Sequence, residues 1–296
     1  MNPEHLLPQF LLRAWPFPRG GGRLVDTFFK DLKFDAKEAL VKTTDDFMMT
    51  VMPNEFVGRH IYLTGEFDRT VFEVLLDFSE PSDVLLDIGA NVGYVSACFL
   101  KKVPSSRAVA VEPQPVVCEY LRRNLAQFGD RHAIFCAALS DRAGELPFFI
   151  DVENNGRSRL ATGGEIATTT VQVLQANEFL STEAIRVDIV KIDAEGHEGK
   201  IIRAAEDQLR RLKPRAILYE DHGGLQTRDG ADLSTILEDL RYSVFAIEKR
   251  LTEVRLVQPF SGANDFIAVS RDRAIPERAK LKYGICLAES KSSFAS

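Results

Sequence analysis

From residue 82 onward, short apolar runs alternate with stretches in which apolar residues recur every three or four positions. Val84–Ile88 predicts a buried strand, and Val92–Lys102 directly after it predicts a helix. Apolar strands that alternate with helices are typical of a mostly parallel sheet covered by helices on both faces. Further strands are predicted at 108–111, 133–139, 146–150, 169–173, 187–192, 216–219, 243–248 and 264–269, and further helices at 116–128, from 192 to about 212 and near 231–241.

The chain before this region has a different pattern. Pro16–Gly22 (PFPRGGG) is rich in residues that interrupt regular structure, which predicts a flexible stretch. β-prone runs such as 47–51 and a helical pattern over 68–78 follow it. The tail from about 277 is polar, and we expect it to extend or fray. We therefore divide the chain into a flexible segment 1–22, an elaboration 23–80 packed on the core, a core domain 81–272 and a C-terminal extension 273–296.

Composition and charge narrow the classes of partner. The 296 residues carry a formal net charge of −6, which disfavours binding to nucleic acid or to an anionic membrane. The sequence has neither an apolar stretch of membrane-spanning length nor a signal-peptide pattern at its start. Its four cysteines lack metal-binding spacing, so we expect free thiols and a cytoplasmic location. They are Cys98, Cys118, Cys136 and Cys286.

The candidate chemistry begins where the first core strand ends, at Asp87-Ile88-Gly89-Ala90-Asn91-Val92-Gly93. Glycines in such a turn let the backbone approach a ligand at the carboxyl edge of the sheet. Glu112 ends the next strand, 19 residues after Gly93, and an acid there can accept hydrogen bonds from both ribose hydroxyls. The pattern indicates an adenosine-type ligand. It departs from the GxGxxG fingerprint of dinucleotide sites, so a nicotinamide oxidoreductase and a glycine turn without cofactor are weaker readings.

Several motifs in order resemble the FkbM-type S-adenosylmethionine (SAM)-dependent methyltransferases. They are the glycine turn, Glu112-Pro113, Ala138-Leu139-Ser140-Asp141 with Gly144, Lys191-Ile192-Asp193-Ala194-Glu195-Gly196 with Glu198, Glu220, and Asn264-Asp265-Phe266-Ile267-Ala268. The resemblance spans roughly residues 60–270. It implies a Rossmann-like α/β fold with a mostly parallel seven-stranded sheet, one strand antiparallel near the edge, and helices on both faces. It also implies SAM as cofactor.

On this basis we assign one set of residues to the cofactor. Asp87 is expected to reach the methionine end of SAM, with capping of the following helix as the alternative. Ala138 and Leu139 are expected to frame the adenine. Asp141 either bonds near the adenine or serves only as a turn residue. The complete set is Asp87, Gly89, Asn91, Gly93, Glu112, Ala138, Leu139 and Asp141.

A second set of residues, the candidates for catalysis, follows two neighbouring strands. Asp193 and Glu195 end one buried run, and Glu220 and His222 end the next, so costly charges gather at the carboxyl edge of the sheet. Methylation of a hydroxyl requires an oriented nucleophile and a base, and Asp193 is the first candidate. The alternative for Glu195 is that it only favours the first turn of a helix. The four side chains could also bind a divalent ion, but we favour catalysis without metal.

The resemblance implies methyl transfer, usually to a hydroxyl of a sugar or natural product. The expected partner is therefore a small hydroxylated acceptor, selected by residues 23–80 and 145–170. Alternatives are a methyltransferase directed at nitrogen or at a macromolecule, and a SAM-binding protein without catalysis. No NPPY-like tetrapeptide follows the 187–192 run, which disfavours methylation of DNA bases. The acceptor and the oligomeric state stay open.

Overall fold

A computed structural model describes residues 3–15, 20–151, 158–161, 166–182, 186–221, 233–260 and 262–285. The helices are α1 Pro3–Arg13, α2 Gly21–Leu24, α3 Phe56–Thr64, α4 Arg69–Asp77, α5 Tyr94–Lys102, α6 Pro115–Leu125, α7 Ala176–Ser181, α8 Glu198–Ala204, α9 Glu206–Leu212, α10 Leu233–Asp239 and α11 Glu277–Tyr283. A π-helical segment, Val25–Phe29, follows α2, and a 3₁₀ turn, Ala126–Phe128, follows α6. The strands are β1 Ala39–Lys42, β2 Met48–Val51, β3 Val84–Ile88, β4 Arg107–Val111, β5 His132–Phe135, β6 Ala138–Ser140, β7 Gly144–Phe149, β8 Arg159–Leu160, β9 Thr169–Gln175, β10 Ile189–Ile192, β11 Ala216–Glu220, β12 Tyr242–Lys249, β13 Val254–Val257 and β14 Asp265–Ser270.

The main sheet has the strand order β13-β12-β14-β11-β10-β3-β4-β5. The five strands from β11 to β5 are mutually parallel, and β14 runs antiparallel to both β11 and β12. This arrangement confirms the predicted α/β sheet with one reversed strand near its edge. An eighth strand, β13, pairs with β12 beyond the predicted seven.

The core lies on both faces of this sheet. Leu85 and Ile189 belong to one buried cluster, whereas their chain neighbours Leu86 and Val190 belong to a second cluster. Because successive residues of a strand point to opposite faces, both faces of β3 and β10 are covered. This double coverage explains why the central strands are apolar throughout.

The predicted strand 133–139 is wrong in one respect, because the chain forms two strands there. β5 pairs with β4 in the main sheet, whereas β6 pairs with β9 in a separate four-stranded sheet of order β6-β9-β7-β8. No glycine or proline interrupts the apolar run, so the sequence carries no signal of the change of sheet. The helix expected from 192 to about 212 is likewise two helices, α8 and α9.

The elaboration before the core contains a hairpin and several helices. The β1–β2 hairpin is held by Asn124 of α6, whose side chain accepts from Thr50 N (2.7 Å) and donates to Thr50 O (3.0 Å). The same amide donates to Val92 O in the glycine turn (2.8 Å). Asn124 therefore joins the elaboration to the turn that follows β3. Helix α1 lies within the segment expected to be flexible, and the boundaries at 22, 80 and 272 stay predictions.

Two expectations about the ends and the cysteines are wrong. Residues 277–283 form α11 rather than a frayed tail, because Tyr283 stacks on Phe78 with ring centroids 6.0 Å apart and donates to Asp77. Cys118 and Cys136 form a disulfide with a Cα–Cα distance of 6.0 Å, so they are not free thiols.

Of the other two cysteines, Cys98 is a buried free thiol, and Cys286 lies outside the described residues. None of the helices in the ranges given above has the length and apolarity needed to span a bilayer.

Candidate active site

A cavity of about 570 Å³ opens at the carboxyl ends of β3, β4, β10 and β11, with the N-terminal elaboration forming its opposite wall. This volume is that of a site for a small ligand, at the edge where open α/β sheets bind their ligands. Asp87, Gly93 and Asp141 do not line it, and His222 lies outside the described residues. The predicted residues that line it are Gly89, Asn91, Glu112, Ala138, Leu139, Asp193, Glu195 and Glu220.

The glycine turn is shaped by left-handed backbone. Gly89 has φ +73°, and a Cβ at this position would overlap the backbone carbonyl of Asp193. Asn91 adopts φ 49°, which asparagine tolerates, and its side-chain oxygen accepts from Val92 N (2.8 Å). Gly93, at φ +88°, is the N-cap residue of α5. Glycine at 89 therefore lets the turn after β3 pack closely against the backbone that follows β10, at the edge of the cavity.

Glu112 is 4% exposed, and both of its carboxylate oxygens are held by backbone. One accepts from Asn91 N (3.0 Å) and the other from Gln114 N (2.9 Å). Burial raises the pKa of Glu112 to about 7, against the lowering effect of these two N–H groups. Each carboxylate oxygen keeps a second lone pair, so the carboxylate can still accept from two hydroxyl groups.

Lys191 is a central residue that the sequence-based assignment missed. Its Nζ donates to Gly89 O (2.9 Å) and lies 3.5 Å from Asp87 Oδ1 and 3.4 Å from Asp193 Oδ2. These carboxylates raise the pKa of Lys191 despite its burial, so it is charged. Asp87 is fully buried and also accepts from Ser96 Oγ (2.7 Å). It holds Lys191 and α5 from beneath the cavity. A charged residue inside the apolar run 187–192 was the signal that could have identified Lys191.

Acidic side chains meet beside Lys191, and we call Asp68, Asp193, Glu220 and Asp265 the acid cluster. Glu220 and Asp265 are direct register partners on β11 and β14. Lys249 of β12 pairs with Asp265 (2.8 Å) and lies 3.6 Å from Asp68. Burial, and then the charges of Asp193 and Asp265, raise the pKa of Glu220 to about 9. Glu220 is therefore protonated at neutral pH, whereas Asp193 has the ammonium of Lys191 beside it.

The loop after β10 is held by Glu198, the first residue of α8. Its carboxylate accepts from Ala194 N (2.7 Å) and Gly196 N (3.2 Å), and burial raises its pKa to about 7. Glu195 in this loop has φ 52° and lines the cavity. Glu198 thus stabilises the loop that presents Glu195 to the cavity.

Asp141 lies behind this loop. Ser140 Oγ donates to Asp141 Oδ1 (2.8 Å) and lies 2.8 Å from Nε2 of the buried His197. The Ser140 hydrogen bond lowers the pKa of Asp141. The side chain of Asp141 is exposed, in keeping with the turn-residue alternative.

The opposite side of the cavity carries three rings, Phe56, His60 and Phe67, which we call the ring wall. Ring centroids are 4.4 Å apart for Phe56 and His60, 5.8 Å for His60 and Phe67, and 6.2 Å for Phe56 and Phe67. His60 Nδ1 donates to Phe56 O (2.8 Å), and its Nε2 lies 3.1 Å from Asp26 Oδ1. Both nitrogens are engaged, so the imidazole is fixed in orientation.

A metal site would need several donor side chains close together. Among the residues that the structure describes, no three His, Cys, Asp or Glu side chains are arranged to hold a metal ion. The acid cluster instead has Lys191 and Lys249 as its cations.

The order β5-β4-β3-β10-β11-β14-β12, with β14 reversed, together with the glycine turn after β3, defines a SAM-dependent methyltransferase of the Rossmann-like class. The residues fit this cofactor, because Glu112 lines the cavity and each of its two oxygens, already held by one backbone N–H, can accept from one hydroxyl. The family is identified from the sequence. The model of the Methyltransferase FkbM domain matches residues 87–244, and the chain belongs to this family.

Two curated relatives and one solved structure are similar to this chain. Hexuronic acid methyltransferase AglP of Haloferax volcanii is 28% identical over 66% of this chain and 77% of that protein. 2-O-methyltransferase NoeI of Sinorhizobium fredii is 22% identical over 51% of this chain and 68% of that protein. A precorrin-6y C5,15-methyltransferase from Geobacter metallireducens is 20% identical, with a TM-score of 0.42, over 70% of this chain and 90% of that chain.

Proposed function

We propose that this protein methylates a hydroxyl group of a small acceptor, a sugar or a secondary metabolite, with SAM as methyl donor. One observation carries the proposal: a single cavity is lined by Glu112, on the cofactor side, by Asp193 and by the ring wall. When bound, SAM supplies the methyl group. The residues of the chain have to bind the acceptor, orient its hydroxyl and accept its proton.

On the cofactor side, we assign the ribose hydroxyls to the two oxygens of Glu112. Ala138 and Leu139, which are 8% and 2% exposed, are assigned to the adenine. Asp87 is assigned an indirect role, because Lys191 lies between its carboxylate and the cavity. Lys191 would position Gly89 and the carboxylate of Asp193. Asn91 supports the turn, and Asp141 stays a weaker candidate.

Asp193 is the proposed general base. Its carboxylate is about one-third exposed in the cavity and lies 3.4 Å from Lys191 Nζ. A charged carboxylate can both orient a hydroxyl and accept its proton. Glu220 has a pKa of about 9, so at neutral pH it is a hydrogen-bond donor and not a base. Glu195 remains a second candidate for contact with the acceptor.

The choice of oxygen as the methylated atom is supported by two relatives. The name of AglP gives hexuronic acid as its substrate class, and that of NoeI gives 2-O-methylation. Methylation at a 2-O position requires an acceptor hydroxyl and a base, whereas a hexuronic acid has both hydroxyl and carboxylate oxygens that can take a methyl group. The acidic cavity agrees with this chemistry, because carboxylates can accept hydrogen bonds from several hydroxyls at once.

The test uses SAM with an isotopically labelled methyl group and a panel of sugars, secondary metabolites and amines. Label transferred to oxygen, identified by mass spectrometry and NMR of the product, would support the proposal. Asp193→Asn should bind SAM as the unsubstituted protein does and lose about 10²- to 10⁴-fold in rate. Glu119→Gln, an exposed change on α6, is the control and should leave the rate unchanged. Transfer only to nitrogen would refute the proposal.

A further inference from the structure

We propose that the ring wall is the acceptor-binding surface and that it takes a saturated, polyhydroxylated ring such as a pyranoside. The inference rests on the proposed function, because it places the hydroxyl to be methylated next to Asp193. It adds the residues that determine acceptor specificity, Phe56, His60 and Phe67. All three come from the elaboration that precedes the methyltransferase sheet.

The ring wall is preorganised for a ligand. Phe56 and Phe67 are half-buried and meet edge to face, with an interplanar angle of 89°. His60, which is 6% exposed, is fixed through both nitrogens by Phe56 O and Asp26. Side chains held in this way lose little freedom when a ligand binds, so more of the contact energy contributes to affinity. Their apolar surface faces a cavity, where a ligand can cover it.

The chain places this surface next to the acid cluster. Phe67 directly precedes Asp68, which lies 3.6 Å from the ammonium of Lys249. Lys249 pairs with Asp265, the register partner of Glu220. The charge of Asp193 in turn raises the pKa of Glu220, so Asp193 is near enough to interact with it. A ring lying on Phe67 would therefore share the cavity with these carboxylates.

The chemistry of the two surfaces selects the class of acceptor. The faces of a pyranoside carry C–H groups, which can pack on aromatic rings, and its edge carries hydroxyls. The acid cluster and Lys249 lose water when a ligand enters, and each polar group left without a partner costs roughly 1–3 kcal/mol. A polyhydroxylated ring supplies several partners, whereas a flat phenolic acceptor supplies one or two. The observations therefore favour the pyranoside.

The only tryptophan in the sequence provides a probe of binding. Trp15 lies beside Gly20, with Nε1 3.6 Å from the position that a Cβ would occupy there. Gly20 lines the cavity, and its Cβ position is also 3.3 Å from Leu251 of the β12–β13 connection. A ligand on the ring wall would occupy the cavity that Gly20 and Leu251 also line. We therefore expect acceptor binding to change the fluorescence of Trp15.

The experiment titrates the full chain, saturated with S-adenosylhomocysteine, with methyl α-D-glucopyranoside, methyl β-D-glucopyranosiduronate and catechol. Trp15 fluorescence and saturation-transfer NMR report binding. At least one pyranoside should bind, with transfer strongest at its ring C–H protons. Phe67→Leu should weaken that binding about three- to tenfold, with the affinity for S-adenosylhomocysteine unchanged. Phe135→Leu removes a ring from another edge-to-face pair, with Phe179, which does not line the cavity, and should leave pyranoside binding unchanged. Phe56→Leu is the second variant, should Phe67→Leu not fold.

Three results would overturn the proposal: neither pyranoside binds, catechol binds in their place, or both ring variants keep full affinity. These results are distinct from failure of the proposed function. Hydroxyl methylation that does not depend on Phe67 and Phe56 would refute the acceptor surface alone. Pyranoside binding through the rings without transfer to any hydroxyl would refute the proposed reaction alone.

Discussion

We expect SAM affinity to depend on pH through Glu112. The carboxylate that we assign to the ribose hydroxyls has a pKa of about 7, raised by burial. It accepts best when charged, so SAM binding should favour the ionised form and release a proton. With a pKa of about 7, roughly a tenth of Glu112 is ionised at pH 6 and roughly nine tenths at pH 8. SAM should therefore bind up to about tenfold more weakly at pH 6 than at pH 8.

The perturbation is Glu112→Gln. The amide keeps the shape of the side chain, but its nitrogen cannot accept from Asn91 N or Gln114 N, or from a hydroxyl. Loss of hydrogen bonds to a charged acceptor costs about 1.5–3 kcal/mol, which corresponds to about 10- to 150-fold in affinity. The part of the pH dependence that comes from this carboxylate should vanish in the variant.

The assay is isothermal titration calorimetry with SAM from pH 6 to pH 8, in two buffers of different ionisation enthalpy. The α-amino group of SAM also titrates, near pH 8, and the variant retains that contribution. Subtracting the variant's proton release from that of the unsubstituted protein isolates Glu112. Glu119→Gln on α6 is the control and should match the unsubstituted protein. Equal proton release in both proteins, or SAM affinity in Glu112→Gln within about threefold of normal, would refute the reasoning.

Three further predictions concern the floor and the edge of the cavity. Glu220→Gln should keep most of the methyl-transfer rate at pH 7, because the amide resembles a protonated carboxyl. Asp193→Asn should lose that rate, and an equal loss in both variants would contradict the assignment of the base. Lys191→Met should lower the free energy of unfolding, measured by urea titration, by about 3–5 kcal/mol, because it leaves buried carboxylates without their cation. An unchanged urea midpoint would show that Lys191 does not stabilise these carboxylates. Gly89→Ala should abolish SAM binding in calorimetry, because the added Cβ would overlap the backbone of Asp193. The control is Gly129→Ala, which should bind SAM normally, because Gly129 is also at positive φ (+65°) but has open space around it. Normal binding by Gly89→Ala would show that the turn is not a close approach.

The parts of the fold that follow from local pattern could be predicted from the sequence. Fully buried strands and the glycine turn have strong local signals, and Asn91 adopts left-handed backbone, which asparagine tolerates better than most residues. The division of 133–139 into β5 and β6 depends on which sheet each half pairs with, which no local residue indicates. Pairing of Cys118 with Cys136 likewise depends on the distance between α6 and the residue after β5.

The candidate site shows the same limit. Glu112 and Asp193 could be located from the sequence, because each lies at the end of a predicted strand and belongs to a recognisable motif. Lys191 could not be assigned a role, since its neighbours Asp87 and Gly89 lie about 100 residues away in the chain and meet it only through the pairing of β3 with β10. His60 also lacks a motif, and only the tertiary structure brings it to the cavity.

The side chain of Asn124 connects the hairpin of the elaboration to the turn that we assign to the cofactor. One amide contacts Thr50 of the elaboration and Val92 of the glycine turn, so a displacement on either side is transmitted through a single residue. The hairpin packs against α3, which carries Phe56 and His60 of the ring wall. If cofactor binding tightens the turn, the hairpin and α3 are tightened as well. Thermodynamic reciprocity then requires acceptor binding to strengthen cofactor binding by the same factor. Such a methyltransferase would hold its donor most firmly when an acceptor is present.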